Sequence, residues 1–98
     1  MKSVYITPRK NSLLAELRTK ASIGLNNVVR QTPWLKWSQM KDVNGKGRMQ
    51  WYIVVDTSID KESRLTWFAK LLASEGYTPS CRICPHDNYY EDYQNYFS

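Results

Sequence analysis

Histidine, cysteine, glycine and proline are all scarce in this sequence, at one, two, four and four in 98 residues. Two cysteines three apart, Cys81 and Cys84, cannot staple a small secreted fold in the usual way, so a reducing compartment is expected. No stretch approaches the roughly 20 apolar residues of a membrane-spanning helix, and the first residues hold no apolar run of signal-peptide length. A cytoplasmic protein without a membrane partner is the expectation. Catalytic groups are thin as well: there is no Gly-rich phosphate loop, and Asp56 and Asp60 lie four apart where one of them caps a helix. General acid–base or metal-dependent hydrolysis requires more converging groups than this, so no enzyme, no catalytic residue and no cofactor is expected.

Acidic residues are scarce in one half only. Residues 1–50 carry ten Lys and Arg against two acids, whereas residues 51–98 carry four against seven, giving halves of +8 and −3. Such a split implies that the halves face each other in part, or that the basic half meets an acidic partner such as nucleic acid or an acidic protein surface. Thirteen aromatic residues and 42% hydrophobic content exclude a disordered chain. The length suits one modest core.

The chain is organised around Met49 to Gly76. Trp51, Tyr52, Ile53, Val54 and Val55 are aromatic or β-branched and predict a central strand. Leu65, Phe68, Ala69, Leu71 and Leu72 then recur at helical spacing. Thr57 to Asp60 fits a capping box, with Asp60 as a rival N-cap, and Gly76 suits the left-handed position that stops a helix, folding Tyr77 back on Leu72. Upstream, Lys2 to Thr7 alternates weakly and predicts a short strand ending at Pro8. From Asn11, the residues Leu13, Leu14, Leu17, Ala21, Leu25, Val28 and Val29 predict a first helix closed before Pro33, with Gly24 marking a break or a close packing point.

Trp34 to Lys41 and the residues from Arg48 form a predicted hairpin, with Asn44-Gly45 as a type I′ turn. That turn makes Trp37 face Tyr52 and Lys41 face Arg48 on one side. The other side, Met40 with Met49, Ser38 with Trp51, Lys36 with Ile53 and Trp34 with Val55, is the predicted core, and a one-residue slip would exchange the two. Tyr77 to Ser80 reads as a turn and Ser80 to Cys84 as a last edge strand. The expected fold class is a small α+β domain of βαββαβ order over residues 1–86, with a central hairpin sheet and two helices on one face. Residues 87–98 form an aromatic, acidic C-terminal tail or docking segment.

Three sets of residues are candidate sites. Trp37 and Tyr52, with Tyr5, beside Lys41, Lys46 and Arg48 would place stacking surfaces in a positive field, as single-stranded nucleic acid requires; the plainer reading is a cross-strand pair stabilising the hairpin. Cys81, Cys84 and His86 are a weak metal candidate, because Cys-x-x-Cys is half a zinc site and ligands this close together strain a tetrahedral shell. The plainer reading is a reduced edge strand. Tyr89, Tyr90, Tyr93, Tyr96 and Phe97, among Glu91 and Asp92, are amphipathic anchors suited to binding a partner protein; alternatively their segment packs on the chain's own basic half.

The element order and the hairpin face resemble an RNA-recognition-motif domain within the ferredoxin-like arrangement. Lys46-Gly47 begins like the first ribonucleoprotein signature, although Arg48, Met49 and Gln50 follow where aromatic and small residues belong. In overall character, with a basic front and an aromatic acidic end, the chain resembles the lambdoid-phage anti-RecBCD proteins. That resemblance implies a non-enzymatic bacteriophage inhibitor, acting in host–virus interaction through protein–protein contact in the host cytoplasm. Its target would be the RecBCD recombination nuclease, through the RecC subunit, with DNA recombination as the process modulated. A host prolyl isomerase is an accessory partner the resemblance implies, for which Pro33, Pro79 and Pro85 are the places to look.

Overall fold

The computed structural model of the protein describes residues 2–9, 11–41 and 47–81. Its elements are β1 (Lys2–Arg9), β2 (Ser12–Leu17), α1 (Ile23–Gln31), β3 (Leu35–Met40), β4 (Gln50–Asp56), α2 (Lys61–Ser74) and β5 (Tyr77–Cys81). They form a small single-domain α+β fold with a mixed sheet and two helices on one face. The strand order is β3-β4-β2-β1-β5, in which β5 runs parallel to β1 and every other neighbouring pair is antiparallel.

Alternate residues of the strands meet the helices. Val4, Ile6, Leu13, Ala15, Leu35, Ile53, Val55 and Tyr77 are buried with Leu25 and Val29 of α1 and Leu65, Phe68 and Leu72 of α2 in one core. Helix α1 is opened by Ser22, whose side chain accepts a hydrogen bond from the Leu25 amide at 3.0 Å, as an N-cap should. Helix α2 ends as expected, with Gly76 left-handed at φ 82°. Its start differs: Asp60 occupies the N-cap position with φ 51° and makes no side-chain cap, and Thr57 is buried with an unpartnered Oγ1. The capping box does not form.

Three element assignments change. The residues from Asn11 are not the start of a helix. Ser12–Leu17 is an interior strand between β1 and β4, and only Ile23–Gln31 is helical, so the element order gains a strand. Leu13 and Ala15 face the helices while Leu14 and Glu16 are buried on the opposite side, and burial on both faces is what imitated a three-to-four spacing. A two-residue connection follows β1, with Arg9 paired to Ser12 and Asn11 at φ 63°, a conformation asparagine tolerates. Strand β1 continues through Pro8, beyond the last β5 partner at Ile6, where a missing N–H is least costly. Strand β5 begins directly at Tyr77, so Tyr77 to Ser80 is an edge strand and not a turn.

The hairpin arms stand where expected, but their register is shifted by one. Leu35 pairs with Val55, Trp37 with Ile53, Ser38 with Tyr52, Gln39 with Trp51 and Met40 with Gln50. The predicted turn at Asn44-Gly45 lies outside the described residues. The shift keeps Lys36 out of the core, where the other register would have placed it beside Ile53, and seats Leu35 and Val55 there instead.

Candidate functional site

The register decides which aromatic residues are available for binding. Tyr52 is 2% exposed, lies on the sheet face away from the helices, and donates its hydroxyl to Glu16 Oε2 at 3.3 Å. It therefore does not pair with Trp37, and the expected Trp37–Tyr52 platform is not formed. Trp37 sits on the helix side, half-buried against the core, with its indole N–H donated to Asn26 Oδ1 at 2.9 Å. Trp51 shares that side and is 56% exposed. Placed diagonally to Trp37 across β3 and β4, it projects where the nine residues of α1, about 13 Å of helix, leave the strands uncovered.

A cleft of 660 Å³ opens at this point, with Trp37 and Trp51 on the sheet and Leu17 and Ala21 supplying further apolar lining. Lys20 precedes α1 and Arg30 lies in its last turn, and both exposed cations line the cleft. Asn26 and Gln50 add polar groups, and among the described residues none that lines the cleft is acidic. Two indoles, two cations and two amides around one opening give flat apolar faces in a positive field. That is the chemistry by which bases are stacked and phosphates attracted.

The other expected residues separate from this arrangement. Lys41 and Arg48 are exposed on either side of the hairpin connection, and Lys46 lies outside the described residues. Tyr5 is on the far face, half-buried beneath the Arg18 guanidinium at 4.2 Å. Cys81 ends β5, while Cys84, His86 and the anchors Tyr89, Tyr90, Tyr93, Tyr96 and Phe97 lie outside the described residues; among the described residues no group of three metal-ligating side chains occurs. Among the described residues no helix is long and apolar enough to cross a membrane.

Sequence reasoning missed Trp51, Lys20 and Arg30. Trp51 fell in the core under the other register, and the two cations fell between the apolar positions of the helix predicted from Asn11 to Pro33. A second aromatic cluster, Trp34 edge-on to Trp67 at 5.1 Å, lies elsewhere, with Arg64 held over Trp34 at 5.4 Å and bonded to the Asp56 carbonyl. That cation is engaged within the fold. The shifted titrations also lie outside the cleft: hydrogen bonds from the Ser58 hydroxyl and amide, with Arg64 beyond them, hold Asp56 low, and burial pushes the Tyr77 phenol up. No protein family, curated protein or solved structure matches this chain.

Proposed function

We propose that this chain is a cytoplasmic, non-enzymatic binding protein that holds single-stranded nucleic acid in the cleft between Trp37 and Trp51. The observation that carries the reading is an indole 56% exposed beside the exposed cations Lys20 and Arg30 in one cleft. The face of that indole, beside the half-buried Trp37, is a surface on which bases stack irrespective of sequence. The basic first half, at +8, supplies the long-range attraction that brings a polyanion to the cleft.

The test is titration with a short single-stranded oligonucleotide at several salt concentrations, read by tryptophan fluorescence. Binding should weaken with salt, and Lys20→Ala or Arg30→Ala should each reduce the log–log slope by about 0.7, the loss of one phosphate contact on a single strand. Absence of binding at low salt would refute the reading. If a pull-down then retained a large host complex at high salt, the reading as a phage-type inhibitor of a DNA-processing machine such as RecBCD would replace it.

A further inference from the structure

Given that single strands are held in the cleft as proposed above, its polar rim decides which base is preferred, because every base offers a flat face to an indole and only the edges differ. That rim is built largely from α1. Asn26 and Arg30 are four apart, so both side chains stand on one helix face, and both line the cleft with Lys20. Asparagine is a poor choice inside a helix, where its amide competes for backbone groups. Here the amide is engaged elsewhere: Asn26 Oδ1 accepts the Trp37 indole N–H at 2.9 Å.

That bond fixes the polarity of the side chain. An indole nitrogen can only donate, so the atom facing it is the amide oxygen, and the amide cannot turn over without setting N–H against N–H. What Asn26 keeps for the cleft is Nδ2, with two protons to donate and no partner among the described residues. The cations beside it also only donate: Lys20 and Arg30 are exposed, and among the described residues neither stands in an ion pair. Gln50 carries an end of each kind, and no described contact holds its amide either way round.

A rim of donors selects an edge of acceptors. Guanine presents O6 and N7 side by side, whereas adenine, with the same two rings, puts an N6 amine beside N7. Asparagine reads adenine through both ends of its amide, and at Asn26 the oxygen end is taken. We propose that the cleft prefers guanine to adenine in a single strand, with Asn26 Nδ2 and the Arg30 guanidinium donating to guanine O6 and N7 and the purine stacked on the Trp51 indole. Asn26 is then the specificity-determining residue of the site, and Trp37 acts on specificity by holding the Asn26 amide oxygen.

The test uses the full chain and single-stranded oligonucleotides in which one base is flanked by abasic sites, titrated at low salt and read by tryptophan fluorescence. Guanine should bind about 5–150-fold more tightly than adenine, the discrimination of one good edge contact. Hypoxanthine, which keeps O6 and N7, should match guanine, and a guanine analogue with carbon in place of N7 should fall toward adenine. Asn26→Asp keeps an oxygen for the Trp37 indole and replaces both donated protons with a second acceptor, so its guanine-to-adenine ratio should fall to about one or below. Taking the ratio within one variant cancels the general loss of affinity from the added negative charge. Equal binding of guanine and adenine by the wild type would overturn the preference and leave the stacking site standing, whereas absence of binding by every oligonucleotide, an unmodified strand included, would overturn both. An unchanged ratio in Asn26→Asp would remove Asn26 from base selection, and a wild-type preference for adenine would pass that role to Gln50; either overturns the proposal.

Discussion

Ser22 joins two elements through one hydroxyl: the oxygen caps α1 by accepting from the Leu25 amide, and the proton goes to Glu75 Oε2 at 2.8 Å. Ser22→Ala should therefore cost about 1 kcal/mol, read as a drop of about 4–8 °C in melting temperature. A Cβ at Gly24 would stand 2.9 Å from Glu75 Oε1, so the same carboxylate would have to shift to admit one. Gly24→Ala should stabilise by about 0.5–1 kcal/mol in a Glu75→Ala background and by less in the wild-type chain, a non-additivity that a thermal-melt double-mutant cycle detects. At Asp56 the sign of the pH effect follows from the cause. Ser58 and Arg64 favour the carboxylate in the folded state, so its folded pKa lies below the unfolded value of about 3.9. Its stabilisation is full above the unfolded value and is lost as pH falls through the folded one. Melting temperatures of Asp56→Asn and wild type should differ at pH 6 and converge in acid, below the folded pKa.

At the scale of elements, the chain ends its second helix with Gly76, whose φ of 82° no side chain favours; Gly76→Ala should cost about 1 kcal/mol in chemical denaturation. That stop, α2 and strand β4 were legible because spacing, β-branching and the glycine all agree. Two elements were not. Ser12–Leu17 lies inside the sheet with side chains buried on both faces, so its apolar residues show no period-two alternation, and their run into Ala21, Leu25 and Val29 reads as one helix. In the hairpin, the register inferred from Asn44-Gly45 set Lys36 in the core, and the cost of burying that charge favours the observed register instead. That single step exchanges Tyr52 for Trp51 as the exposed aromatic. A warning was present in the lysine itself, which the turn-based pairing set against Ile53 in the core. The cleft was illegible for a further reason: Lys20 and Arg30 reach it only because the chain leaves the sheet after Leu17 and returns as a short helix, a path that no local pattern encodes.

For the whole molecule, the two sheet faces have different roles. One is packed by two helices and opens at the end of α1 into the cleft of Trp37, Trp51, Lys20 and Arg30, while the other buries Leu14, Glu16 and Tyr52. The central claim is that nucleic acid is held at the first of these and not at the second. The most direct measurement compares oligonucleotide affinity at low salt for wild type, Trp51→Ala and Lys36→Ala, each checked by circular dichroism for an unchanged fold. Loss of one stacked base is worth about 1–3 kcal/mol, so Trp51→Ala should weaken binding by about 5–150-fold, while Lys36→Ala, on the far face, should leave affinity within about threefold. Equal effects of the two substitutions, or full affinity without Trp51, would contradict the account.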